Sequence, residues 1–157
     1  MAFDLPEPVR NWSPPENWKP PESLPELEGI VGLDFETKDP GITRKQGSSW
    51  CLRDEGFICG AAVAAENLSL YAPINHAAGN MDPMLFWTWL RKQAAKPSVT
   101  FVMANSIYDA GWLSRHNITP VNDPYDVQAM AYLLNEHRRS YSLSNLARDY
   151  LQKDKTS

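Results

Sequence analysis

Two carboxylates, Asp34 and Glu36, stand at the end of the apolar run Ile30-Val31-Gly32-Leu33-Asp34-Phe35-Glu36. In a strand, residues two apart leave the same face, so both side chains can grip one divalent cation while Phe35 turns the other way, toward a core. A buried strand gains nothing from two like charges on one face, because each is costly to desolvate and they repel one another unless a cation or a proton relieves them. The alternative is a strand that ends at Leu33, with both acids solvated. A third carboxylate comes from Asn105-Ser106-Ile107-Tyr108-Asp109, directly after a second apolar run, Val99 to Met103. A helix opening at Ser106 would hold Asp109 in its first or second turn, near the end of a neighbouring strand. From there its carboxylate can face Asp34 across the sheet edge.

Other residues capable of chemistry form no second constellation. His76, His116 and His137 share no metal-ligand spacing and are expected to be solvated or to cap helices. Cys51 and Cys59 match no zinc or redox signature and are expected to be inert thiols in a reducing compartment. Asp126 falls in the first turn of a further helix, where the dipole favours an acid, and is expected to be structural. Trp50, Trp87, Trp89 and Trp112 sit in apolar or strand-flanking patterns that suit a core.

The elements that must position these acids follow from periodicity and punctuation. Ile30 to Glu36 is short, apolar and β-branched, as a buried strand should be. Phe57 to Ala65 and Leu68 to Ile74 are two more strands, joined at Glu66-Asn67 by the two-residue connection of a hairpin. Asp82-Pro83 supplies an N-cap and a first-turn proline, and Leu85, Phe86, Trp89 and Leu90 line one face of a helix from Pro83 to about Ala95, which Pro97 ends. Val99 to Met103 is a fourth strand, with the helix Ser106 to His116 behind it. Asp123-Pro124 repeats the cap-plus-proline start for a helix running to about Glu136, and Ser142 can cap a last one bearing Leu143, Leu146, Ala147 and Tyr150. The order is strand, strand, strand, helix, strand, helix, helix, helix. This is an α/β chain whose mixed sheet has an up-and-down antiparallel three-strand meander and a parallel fourth strand added through a crossover helix.

Ahead of these elements, seven of the thirteen prolines fall between Pro6 and Pro25, including Asn11-Trp12-Ser13-Pro14-Pro15 and Asn17-Trp18-Lys19-Pro20-Pro21. Residues 1–28 should form an extended, polyproline-like arm. It is expected to be a leader that packs on nothing, although Trp12 and Trp18 leave open an arm that docks on a partner. Residues 29–157 form the domain. The whole chain is 157 residues, 43% hydrophobic and 22% charged, which suits one ordinary domain and excludes disorder throughout. A formal net charge of −4 argues against holding nucleic acid by bulk electrostatics, so any phosphate contact must be local. No apolar run approaches the roughly 20 residues of a membrane span, and Met1 to Arg10 lacks the pattern of a secretion signal. A cytoplasmic protein with no membrane partner is expected.

Asp34-x-Glu36 followed by Asn105-x-x-Tyr108-Asp109 resembles the first and second exonuclease motifs of the DEDD superfamily, in the version found in the proofreading domain of family A DNA polymerases such as bacterial DNA polymerase I and its phage relatives. Leu70-Tyr71-Ala72-Pro73-Ile74-Asn75-His76 is similar to the family's third strand, which ends in Tyr-x-Pro-x-x-His. Tyr125 to Leu134 resembles the helix after the second motif, and Ser142-Leu143-Ser144-Asn145-Leu146-Ala147 resembles the next one. The likeness runs from about Gly29 to the C-terminus. It implies an RNase H-like fold and removal of nucleotides from DNA 3′ ends, with a single-stranded 3′ end as partner and two Mg²⁺ or Mn²⁺ ions as cofactors. In that scheme one ion activates water and the other stabilises the leaving 3′ oxygen, at a separation of about 3.5–4 Å. Asp34 would bridge both ions, Glu36 would help hold the ion on the nucleophile side and contact the terminal nucleotide, and Asp109 would serve the leaving-group ion. Asn105 and Tyr108 would position the 3′ end or its phosphate, and Thr37 would lie where the backbone after Glu36 meets the terminal sugar. Lys38, Arg44 and Lys45, or Arg138 and Arg139, could touch the DNA backbone or simply be a solvated face.

The family's third motif, Tyr-x-x-x-Asp on a later helix, is expected beyond the point corresponding to Ser157; after Asp109 the same letters occur once, as Tyr150-Leu151-Gln152-Lys153-Asp154. Asp149 occupies a helix position the family does not use for metal. The resemblance therefore implies a C-terminally incomplete domain, weak or inactive alone, that holds one ion weakly and needs the rest of the exonuclease or polymerase polypeptide, or a partner. Two rivals follow: a catalytically inactive module that uses the same fold to dock on a replication protein, and an exonuclease of the same superfamily that acts on small RNA.

Overall fold

The computed structural model describes residues 18–49 and 55–153. Trp12, Trp50, Cys51 and most of the proline-rich arm lie outside the described residues. Strand β1, Gly29–Lys38, is followed by a one-turn helix α1, Pro40–Thr43, then β2, Phe57–Ala65, and β3, Leu68–Pro73. Helix α2 spans Pro83–Ala94, β4 Val99–Met103, α3 Ser106–Arg115, β5 Tyr125–Asp126, α4 Val127–Leu134 and α5 Leu143–Leu151. The sheet order is β3-β2-β1-β4-β5. The first three strands are an antiparallel meander, and β4 joins the free edge of β1 in parallel through the α2 crossover. That is the mixed sheet the sequence implies, extended by one short parallel strand that it does not announce.

Alternation along β1 decides what the sheet does with its faces. Val31, Leu33 and Phe35 are buried and join Ala61 and Val63 of β2, Phe101 and Met103 of β4, Phe86 and Leu90 of α2, and Trp112 and Leu113 of α3 in one core. The intervening positions point to an open face, where Ile30 is 67% exposed and Asp34 and Glu36 meet solvent. The strand does not end at Leu33. It runs through both acids, and they are solvent-facing within it.

Local chemistry explains most boundaries. The Asp82 side chain accepts from the Met84 amide at 2.9 Å with Pro83 in the first turn, so α2 starts as its sequence dictates. Ser142 caps α5 by accepting from the Asn145 amide. Asp123-Pro124, by contrast, opens no helix. Residues Tyr125 and Asp126 pair with Val102 and Met103 as β5, and Asp126 caps α4 by accepting from the Gln128 and Ala129 amides. Parallel pairing with β4 outweighs the local cap signal, and Asp126 is the cap itself rather than a first-turn residue. The helix ends at Leu134.

The arm's last residues do pack. Leu27 is buried in the core, its amide donates to the buried Gln93 Oε1 at 2.9 Å, and Trp89 Nε1 donates to the Pro25 carbonyl. Glu26 pairs with Lys92 on α2 and with Lys96 just after it. Leu24 to Leu27 therefore belong to the packed body, ahead of the boundary at residue 29 that composition suggests. Among the described residues, no helix is long and apolar enough to cross a membrane.

Candidate active site

Beyond Gly32, the side of β1 that faces β4 has no strand partner, because β4 ends at Met103 and the chain turns away into α3. The turn is made at Asn105, whose φ of 64° is left-handed and suits asparagine better than most residues. The Asn105 side chain makes no capping bond and the residue is exposed. Asp126 supplies the cap from across the sheet end, accepting from the Ser106 amide at 2.6 Å. Asp126 thus anchors the starts of both α3 and α4, and these contacts hold its pKa below the usual carboxylate value despite partial burial.

Helix α3 then brings Asp109 to the unpaired stretch of β1. The Phe35 amide donates to Asp109 Oδ1 at 3.1 Å, between the two acids of the strand. Asp109 is 2% exposed. Burial pushes its pKa up to about 7, the Phe35 bond opposes that rise, and the charge of Asp34 adds to it. Asp34 and Asp109 are therefore close enough to repel. Glu36 lies on the same face as Asp34, and its charge is felt on the other side, by Tyr71 and His76.

Among the described residues, no three His, Cys, Asp or Glu side chains converge closely enough to form a cation site. Asp34 and Glu36 extend into solvent while Asp109 is held against the backbone between them, as mutual repulsion requires of three acids. The chemistry of the donors nonetheless fits a hard divalent ion: the set is carboxylate oxygen throughout, the ligand type that Mg²⁺ and Mn²⁺ take. A shared cation would offset the repulsion that raises Asp109.

The remaining sequence candidates, Thr37 and Tyr108, hold each other. Thr37 Oγ1 and Tyr108 Oη are 2.6 Å apart, and the same phenol donates to Asp39 Oδ2 at 3.0 Å. Asp39 also accepts from the Ser49 amide and hydroxyl, and Ser49 Oγ accepts from the Gly41 amide. This network ties the end of β1, helix α1 and helix α3 into one unit, and its donors hold Asp39 below its ordinary pKa. Reading the sequence for carboxylate spacing misses Asp39 and Ser49. Asp39-Pro40 carries the same cap-plus-proline signal as Asp82-Pro83, with Asp39 accepting from the Ile42 amide, so it could have been found.

Other expectations are settled by packing. His116 ends α3 and stacks on Trp87 with ring centroids 3.8 Å apart. His76 is half-buried and caps no helix: its Nε2 lies 2.7 Å from Tyr71 Oη. Arg44 pairs with Glu55, and Arg138 pairs with Asp149 and lies over the Tyr150 ring, so Arg138 and Asp149 fasten the loop after α4 to α5. Trp89 and Trp112 are core.

Residues 22–157 match a family model described as 3′-5′ exonuclease. No curated protein matches the chain. Solved structures with the same fold include Brucella melitensis NrnC with bound Mg²⁺, at TM-score 0.61 and 16% identity over 86% of this chain and 61% of that one. The POL domain of Pol1 from M. smegmatis in complex with DNA primer-template and dNTP matches at TM-score 0.57 and 18% identity, over 82% and 20%. Escherichia coli RNase D, an exoribonuclease involved in structured RNA processing, matches at TM-score 0.56 and 14% identity, over 82% and 29%. The chain spans about three-fifths of the length of the first of these. The mixed sheet and its flanking helices are the RNase H-like exonuclease fold.

Proposed function

This chain belongs to the 3′-5′ exonuclease family, of the DEDD type, and from that premise we propose that it takes part in removing nucleotides from the 3′ end of a single DNA strand, as the editing component of a polymerase in the cytoplasm. The observation that carries the reading is the Asp109 carboxylate, buried and bonded to the Phe35 amide between Asp34 and Glu36. A buried acid raised toward neutrality beside a second carboxylate has no structural advantage, and perturbed groups of this kind gather where chemistry is done.

Asp34, Glu36 and Asp109 would hold Mg²⁺ or Mn²⁺, which supplies activation of water for in-line attack and neutralisation of the leaving 3′ oxygen. The protein's own part is placement. The Phe35 amide fixes the Asp109 carboxylate at the strand, so its place beside β1 does not depend on its own side-chain freedom. The Thr37–Tyr108–Asp39 network locks the strand end against α3. Asn105, exposed at its left-handed turn and making no capping bond, would leave its amide available to a 3′-terminal nucleotide.

Three carboxylates carry one charge fewer than two divalent ions require to be balanced, and the one later Tyr-x-x-x-Asp, Tyr150 to Asp154, ends on an acid outside the described residues. We therefore expect little cleavage by this chain alone, with a fourth carboxylate supplied by further exonuclease or polymerase sequence or by a partner. The exposed apolar side chains of α4 and α5, Leu133, Leu134 and Leu151 among them, support such a contact. The second reading, a binding module without catalysis, is favoured by the solvent-facing, unconverged Asp34 and Glu36.

The test is a 3′-ended, 5′-labelled oligonucleotide with Mn²⁺, comparing the chain with Asp34→Ala, in DNA and RNA versions. Stepwise shortening that depends on Asp34 supports the nuclease reading, and the preferred sugar separates a DNA enzyme from an RNA enzyme. Equal background in both proteins, with binding retained, favours the module.

A further inference from the structure

The hydrogen bonds at the end of β1 run in one direction. Asp39 is surrounded by donors: its Oδ1 accepts from the Ile42 amide at 3.2 Å, the Ser49 amide at 3.1 Å and the Ser49 hydroxyl at 2.5 Å, and its Oδ2 accepts from Tyr108 Oη at 3.0 Å. An ionised carboxylate has no proton to give, so each of these bonds points at Asp39. The loop is closed tightly around this arrangement. Ser49 is fully buried, and a Cβ on Gly41 would lie 2.3 Å from the Gly47 carbonyl oxygen and 2.8 Å from Ser49 Oγ.

A phenol has a single proton, and that of Tyr108 goes to Asp39. The 2.6 Å contact between Tyr108 Oη and Thr37 Oγ1 therefore takes its proton from the threonine. Two hydroxyls, either of which could donate if the pair stood alone, are ordered into one chain from Thr37 to Tyr108 to Asp39. The phenol keeps no proton for a phosphate oxygen. Thr37, half-buried and next in sequence to Glu36, keeps lone pairs and no proton.

On the nuclease reading above, we propose that Asp39 is a positioning residue for the strand end: by drawing the Tyr108 proton it makes Thr37 Oγ1 an acceptor, which takes a hydrogen bond from a terminal 3′-hydroxyl and disfavours a terminal phosphate. A hydroxyl has a proton to offer that oxygen. A phosphate monoester above its second pKa of about 6 sets lone pairs against lone pairs. The selection lies in the direction of two hydrogen bonds and places no fixed charge beside the metal-binding acids.

The test is binding without turnover. Fluorescent single-stranded DNA oligonucleotides ending in a 3′-hydroxyl, a 3′-hydrogen or a 3′-phosphate are titrated by anisotropy, in Ca²⁺ at about pH 8, with the full chain, Asp39→Asn and Tyr108→Phe. In Asp39→Asn the donors gathered at the Oδ1 position hold the amide oxygen there and turn its nitrogen toward Tyr108. The amide then donates to the phenol, the phenol to Thr37, and the threonine proton is released outward. Tyr108→Phe releases the same proton by removing its acceptor. The unsubstituted chain should prefer the 3′-hydroxyl over the 3′-hydrogen by about 3- to 10-fold, and over the 3′-phosphate by more. Both variants should shrink the hydroxyl-over-phosphate preference by about 5- to 10-fold, because Thr37 can then donate to a charged oxygen. Any contact of the phosphate with the metal is common to all three proteins and cancels in that comparison. Equal weakening for every end in both variants, as a purely structural role gives, overturns this inference and leaves the nuclease reading standing, as does an unsubstituted chain indifferent to hydroxyl and hydrogen. No binding of any end by the unsubstituted chain overturns both. Melting establishes that each variant is folded before affinities are compared, and Tyr108→Phe, which leaves Asp39 capping α1, carries the test if Asp39→Asn does not fold.

Discussion

Replacing Asp109 by asparagine should change how stability depends on pH more than it changes the fold. An acid whose pKa is raised in the folded state keeps its proton where the unfolded chain has already released it, so raising the pH through that interval favours unfolding. The rise runs from an ordinary 3.8 to about 7. At about 1.4 kcal/mol per pH unit this corresponds to about 4 kcal/mol, fully present below about pH 4 and lost as pH climbs to about 7. Asp109→Asn keeps an oxygen to accept from the Phe35 amide and has no proton to lose, so its stability lacks that decline. Burial of His76 and His116 lowers their pKa values and works in the opposite sense over the upper part of the interval, in both proteins alike. The informative quantity is therefore the difference between the two proteins. Urea unfolding followed by tryptophan fluorescence in EDTA, at intervals from about pH 4 to about pH 8, should show Asp109→Asn gaining up to about 4 kcal/mol on the unsubstituted chain. Adding Mn²⁺ at the upper end should restore stability to the unsubstituted chain only, since a cation relieves the charge that burial penalises. Parallel stability curves in EDTA would refute the argument, because they would mean that Asp109 ionises in the folded protein as easily as in the unfolded one.

Two further changes probe the framework around the acids. Asp126→Ala removes the acceptor for the Ser106, Gln128 and Ala129 amides and should cost about 2–3 kcal/mol in denaturant unfolding, with Asp126→Asn recovering most of it. Because the pKa of Asp126 is depressed, its contribution stands above about pH 4 and fades as pH falls further, the reverse of Asp109. Gln93→Leu leaves the Leu27 amide buried without its acceptor and should cost about 1–3 kcal/mol. Protease cutting near Leu24 to Leu27 should then speed up in step with the loss.

Much of the scaffold was legible because its signals are local. The spans of β2, β4 and α2 follow from alternation, from apolar runs and from Asp82-Pro83, and the hairpin at Glu66-Asn67 follows from its length. Helix α1 was equally legible at Asp39-Pro40. Its polar surroundings read as loop, and with it went the Asp39–Ser49 network that holds Tyr108. Asp123-Pro124 misled for the opposite reason: the same dipeptide signal was genuine chemistry without a helix behind it, because Tyr125 and Asp126 were claimed by β4. The arm's end misled in a third way, since Pro-rich composition says the segment is extended but not that Leu27 has a socket on α2.

The sequence by itself determined that Asp34 and Glu36 share a face, since a period of two is a property of any strand, and that Asp109 opens a helix after a strand. Only the tertiary structure decided which backbone group Asp109 meets. That depends on β4 stopping at Met103, which leaves the Phe35 amide without a sheet partner and open to a side chain from α3. It also decided that Tyr108 stands between Thr37 and Asp39, because that nearness comes from α3 lying against the end of β1, a relation between residues far apart in the chain that no local pattern encodes.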